Sequence, residues 1–236
     1  MAGAAVSTTR ISVIIPALNE AGNIVRTLDS LQPMRRRGHE IIVVDGGSDD
    51  ETLAISRPLT DQLVEATRGR ANQMRAGAAV ASGAVIWFLH ADTVPPGSAD
   101  RLILNELVQP DSRWGFFNVL FPGDSLMLKV VALLMNLRAR ITGIATGDQG
   151  IFITRVLYEK IGGIPAIPLM EDIALSRTLK RYTRPAVIRK KLVSSPRRWE
   201  KHGVTKTILM MWGLRLAYFI GVDPARLAKY YAVNSA

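Results

Sequence analysis

The chain has 236 residues, 48% of them apolar and 21% charged, which fits one α/β domain or two small ones with a sizeable core and argues against wholesale disorder. It contains no cysteine, which removes disulfides, zinc–thiolate sites and cysteine nucleophiles. A net charge of +10 favours anionic partners: nucleic acid, a phospholipid surface or a phosphorylated small molecule.

The first residues, MAGAAVSTTR, lack the basic start and long apolar stretch of a signal peptide, and 1–9 is expected to be a disordered tail. ISVIIP (11–16) predicts a strand, β-branched and bounded by Pro16. Glu20 to Leu31 carries Ile24, Leu28 and Leu31 at helical spacing. EIIVVD (40–45) predicts a second strand, followed by a Gly-Gly-Ser turn and a short helix from about Asp49. Asp61 to Ala66 reads as a third strand, and Arg70 to Ala81 as a helix rich in good helix formers. AVIWFLH (84–90) is a fourth and very apolar strand.

The second half is less regular. Strands are expected over 113–121 and 149–154, and helices over 126–141, 171–181 and 205–222. SPRRWEKHG (195–203) reads as a basic loop. No uncharged apolar run approaches the roughly 20 residues needed to span a bilayer. The final apolar helix reads as a core or dimer helix, or as an interfacial one anchored by Trp212, Tyr218 and Phe219.

Strands alternating with helices predict an α/β fold with a mostly parallel sheet covered on both faces. Ligands of such sheets sit at the carboxyl ends of the strands. Polar residues cluster at three of those ends: Asn19 and Glu20, Asp45, and His90 with Asp92. Asp45 could accept hydrogen bonds from a base or ribose, or simply close a turn with Ser48. Asp92 could ligate Mg²⁺ or Mn²⁺, which take oxygens from one or two carboxylates plus substrate phosphates, or it could cap a helix before Pro95-Pro96. Glu171-Asp172 opens a helix, where acids serve as a general base or merely complement the dipole. Arg68 and Arg70 precede a helix start, a place that suits a phosphate. A late basic run, from Arg177 to Lys201, is either a solvated surface or an anion-facing patch.

Together these pieces resemble glycosyltransferase family two, inverting enzymes of the GT-A (Rossmann-like, nucleotide-diphospho-sugar transferase) fold, from about Arg10 to about His202. PALNE (16–20), VVDGGSDD (43–50), GRANQMRAG (69–77), FLHAD (88–92), MEDIAL (170–175) and RRW (197–199) look like the family's motifs in order. Each is short; their order and spacing carry the resemblance. His-Ala-Asp-Thr with a later Gly-Asp-Gln-Gly (147–150) is similar to a bacterial branch of arsenosugar- or carotenoid-type glycosyltransferases.

The resemblance implies a nucleotide-sugar-binding half over 10–95, an acceptor-binding and catalytic half over 96–204, and a C-terminal apolar helix over 205–236. It implies that Pro16, Ala17, Glu20, Asp45, Arg70, His90, Ala91, Asp92 and Arg198 bind the nucleotide sugar. Asp92 and His202 would hold a divalent cation, Mn²⁺ or Mg²⁺, and Asp172 would be the catalytic base. The family's usual first metal-motif carboxylate is replaced here by His90. The expected partners are a nucleotide diphosphate sugar, with UDP as the prior, and an unidentified hydroxyl acceptor, lipid-like or a small molecule. No nucleic acid is expected, because aromatic and basic residues are not interleaved. Peripheral membrane contact and homodimerisation stay open. The expected location is the cytoplasm, including the inner face of the cell membrane.

Overall fold

A computed structural model describes residues 9–235, with the side chains of Arg198, His202 and 233–235 outside that description. All but the last residue of the 1–9 tail therefore lies outside the described residues.

The first half follows the alternation. β1 (Ile11–Ala17), β2 (Glu40–Asp45), β3 (Gln62–Glu65) and β4 (Val85–Phe88) are connected by α1 (Ala21–Arg36), α2 (Thr52–Ser56) and α3 (Arg70–Val80). The four strands are parallel, in the order β3-β2-β1-β4. Their apolar residues are buried on both faces, in two clusters that lie on opposite sides of the sheet. Pro16 is tolerated in this central strand because the pairing of β1 with β4 ends at Ile14. α1 runs past the expected end at Leu31 and through Pro33, because buried Met34 continues its apolar face. α3 lies close on the sheet: a Cβ on Gly77 would come within 2.5 Å of Ile14 Cγ2 and 2.9 Å of Val44 Cγ2. Only glycine lets that helix approach so near.

Beyond β4 come a two-residue strand β5 (Thr93–Val94), α4 (Ala99–Leu107), β6 (Trp114–Leu120), α5 (Leu126–Thr142), β7 (Phe152–Thr154) and α6 (Arg155–Lys160). They are followed by α7 (Glu171–Leu179), β8 (Ala186–Ser194), α8 (Arg197–His202), α9 (Val204–Phe219) and α10 (Pro224–Ser235). The sheet is eight-stranded, β3-β2-β1-β4-β7-β6-β8-β5, and β7 runs antiparallel to both of its neighbours.

Several expectations are corrected. The strand expected over 149–154 is a 3₁₀ turn at Gly147–Gln149 followed by the shorter β7. The basic loop at 195–203 contains a helix, α8, seated by Trp199 on Phe121 with ring centroids 5.6 Å apart. The single helix expected over 205–236 is two, α9 and α10. β8 was not foreseen, since Arg189, Lys190 and Lys191 interrupt its apolar pattern. The pairing with β6 shifts register there, and these three side chains are exposed.

Candidate active site

The carboxyl ends of β1, β2 and β4 meet at one edge of the sheet, and the loops beyond them are tied together. Asn19, at φ 54°, takes Ser48 Oγ on its backbone N–H (2.9 Å) and accepts from Asp49 N through Oδ1 (2.9 Å). Asp45 Oδ2 accepts from Gly47 N at 2.8 Å and Ser48 N at 2.9 Å, so this buried carboxylate is engaged in its own turn. Gln73 on α3 donates to Ala17 O at 2.7 Å and Val44 O at 2.9 Å, which fixes the mouth between β1 and β2. Pro16 and Ala17 lie inside β1, and Ala17 is buried. Glu20 is held by Arg197 Nη2 at 2.7 Å and Asn23 Nδ2 at 2.8 Å. It tethers α8 to α1.

A second group gathers past β4. His90 Nδ1 lies 3.4 Å from Asp148 Oδ1 and 4.0 Å from Asp92 Oδ1, while its Nε2 meets Arg70 Nη2. Ala91 between them is buried, its carbonyl accepting from Thr27 Oγ1 at 2.8 Å. Asp148 also accepts from Ser194 Oγ at 3.0 Å. Asp148 belongs to the Gly-Asp-Gln-Gly stretch, read in the sequence only as a branch marker. Its spacing offers no hint that it folds back onto His90.

The second group is joined to the expected base by Gly147. Gly147 N donates to Asp172 Oδ2 at 2.8 Å, and Ile173 N donates to Oδ1 at 2.7 Å. A Cβ on Gly147 would clash with both Arg70 Nη2 and His90 Nε2, so the bare glycine is what admits the Arg70–His90 contact. Met170, at φ 70°, turns the chain sharply into α7, with Glu171 buried and Asp172 partly exposed. Glu171 is buried with Arg70 Nε 3.0 Å away, an ion contact rather than a directed hydrogen bond. Burial, and then the Asp172 charge, push the Glu171 carboxyl up to about 7, against the pull of Arg70.

The structure therefore brings together Arg70, His90, Asp92 and Asp172, adds Asp148 and Glu171, and leaves Asp45 engaged in its own turn and Glu20 paired with Arg197. The side chains of Arg198 and His202 lie outside the described residues, so the expected imidazole ligand is not described. Among the described residues no group of three acids or histidines is arranged to hold a metal ion alone. The carboxylates of Asp92 and Asp148, both near His90 Nδ1, still suit a hard cation that takes its remaining oxygens from a diphosphate.

The glycosyl transferase family 2 model matches residues 12–124. That match spans just under half of the chain. A similar curated relative is an uncharacterized glycosyltransferase of Mycobacterium tuberculosis, 37% identical over 100 residues. That alignment covers 40% of this chain and 36% of the relative, so the chain spans about a third of that relative's length. Among solved structures, a mannosyltransferase from Pyrobaculum calidifontis in complex with GDP-Man and Mn²⁺ superposes with TM-score 0.61 at 23% identity, over 78% of this chain and 56% of that one. Glucosyl-3-phosphoglycerate synthase of Mycobacterium tuberculosis, in complex with Mn²⁺, UDP and glucosyl-3-phosphoglycerate, gives 0.60 at 21%, over 79% and 72%. The fold is thus GT-A, as the sequence resemblance implied.

Proposed function

We propose that the chain is a metal-dependent inverting glycosyltransferase that moves a sugar from a nucleotide diphosphate sugar, a UDP-sugar, to an acceptor hydroxyl. The observation that carries this reading is the convergence of His90, Asp92 and Asp148 with Asp172 through Gly147 at the carboxyl edge of the sheet. Solved relatives of the same fold hold GDP-Man or UDP with Mn²⁺.

Asp92 and Asp148 would hold the divalent cation, which when bound neutralises charge on the leaving diphosphate. The Asn19 and Asp45 turns would border the base and ribose, with Gly47 leaving its stretch of backbone bare of a side chain. Arg70 adds positive charge beside His90. Asp172 takes the acceptor proton as the hydroxyl oxygen bonds to the anomeric carbon. The bond from that carbon to the diphosphate oxygen breaks on the opposite face. An α-linked donor gives a β-linked product, with no covalent enzyme intermediate.

Calorimetric titration with UDP, GDP and TDP, each with Mn²⁺, Mg²⁺ or chelator, tests this. UDP should bind only with metal, and Asp92→Ala should weaken it by about tenfold or more, roughly 1.4 kcal/mol. A wild-type chain that binds no nucleotide under any metal would overturn the reading in favour of a general anion-binding module.

Among the described residues no helix is long and apolar enough to cross a membrane. Peripheral contact is supported by the exposed face of α9, where Leu209, Trp212, Leu216 and Phe219 are open to solvent. Co-sedimentation with vesicles containing phosphatidylserine should be lost on Trp212→Ser with Leu216→Ser. Equal recovery of the wild-type chain in the supernatant with and without vesicles would remove membrane contact from the proposal.

A further inference from the structure

Two arginines that this mechanism leaves unused flank the base. Arg138 lies on α5 and Arg215 on α9. The helices bring them in from different sides of α7. Ala139, next to Arg138, shares a core cluster with Leu175 and Leu179, and Leu214, next to Arg215, packs with Met170 and Ile173. Among the described residues, Nε and Nη2 of Arg138 and Nε of Arg215 are buried without a hydrogen-bond partner. Leaving such donors dry costs about 1–3 kcal/mol each, and placing two like charges together costs more.

The electrostatics point the same way. Burial, then the Arg215 charge, pull the Arg138 guanidinium down to about 10, and burial lowers Arg215 as well. Both stay charged at neutral pH. Asp172 attracts each of them through space, Asp148 attracts Arg215 as well, and both Asp172 oxygens already accept backbone N–H groups. The pair is thus charged, short of hydrogen-bond acceptors and next to the base. In an in-line displacement the acceptor meets the base, while the diphosphate departs from the other face of the sugar. Paired guanidinium forks match a phosphate or carboxylate.

We propose that Arg138 and Arg215 form an anion subsite for the acceptor, which carries a phosphate or carboxylate near the hydroxyl that receives the sugar. The proposal rests on the glycosyl transfer reading with Asp172 as base.

The test is calorimetric titration with inorganic phosphate, and separately with acetate, on the chain alone and on the chain saturated with UDP and Mg²⁺. Phosphate or acetate should still bind the UDP-loaded chain, and whichever binds identifies the anion class. Arg138→Met and Arg215→Met should each weaken that binding by about tenfold or more while UDP affinity stays within about twofold. Because the guanidiniums lack partners, both variants should melt at or above the wild-type temperature. Four results would overturn the proposal: no anion binding to the wild type, anion binding displaced by UDP, binding unchanged in both variants, or variants that no longer fold. Arginine-dependent phosphate binding in a chain that binds no UDP would instead sink the transferase reading and leave the anion site standing.

Discussion

Asp172→Asn should lower sugar transfer by about 10²–10⁴-fold, the range that a positioned general base contributes, while nucleotide affinity stays near wild type. The carboxylate sits at the start of α7, partly exposed, and is oriented by Gly147 N and Ile173 N. Asparagine keeps the shape and one acceptor oxygen, so only one of those two backbone donors loses its partner. That costs about 1–3 kcal/mol at most, and the variant should remain folded by circular dichroism. The proposed donor contacts lie on the β1, β2 and β4 side of Gly147, which is why binding and turnover should separate. The measurement is turnover with saturating donor beside a UDP titration of the same sample. Near-normal turnover would move the base elsewhere, and a parallel loss of UDP binding would mean that Asp172 holds the donor site together.

The parts of this site that can be read in the sequence are those borne by parallel strands. ISVIIP, EIIVVD and VIWF are buried on both faces and announce themselves as apolar runs. Each of their carboxyl ends is then a fixed place, so Asn19, Asp45, His90 and Asp92 fall together by topology alone. What the sequence hides is what arrives from elsewhere. Asp148 comes in on a short 3₁₀ turn whose position depends on β7 reversing direction beside β4. Glu20 looks like a ligand-facing acid until Arg197, distant in sequence, pairs with it. Arg138 and Arg215 read as interruptions of apolar helices, because periodicity reports which face is buried and not what a buried charge is for. β8 escapes for a related reason: its middle residues bulge into solvent, so no alternation survives.

Glu171→Gln should change the pH dependence of stability more than it changes turnover. Glu171 is buried and faces Arg70, whereas Asp172 is partly exposed, so Glu171 is expected to support the site rather than touch the acceptor. Its carboxyl is raised from an ordinary 4.5 to about 7, first by burial and then by the Asp172 charge. The folded chain therefore binds more protons than the unfolded chain between those two values. That contribution to stability is intact below about pH 4.5 and is lost as pH rises through 7. Glutamine cannot ionise and removes the slope. Relative to wild type, the variant should gain up to about 3 kcal/mol between pH 4.5 and 8, from a shift of roughly two units or more at 1.36 kcal/mol each. Urea unfolding of both proteins across that range measures it. A stability difference that is flat with pH would mean that Glu171 stays ionised against Arg70 throughout. The glutamine variant should also keep turnover within about tenfold of wild type, far above the general-base loss expected of Asp172→Asn. If the two losses are equal, the pair acts as one proton-sharing unit and the base cannot be assigned to Asp172 alone.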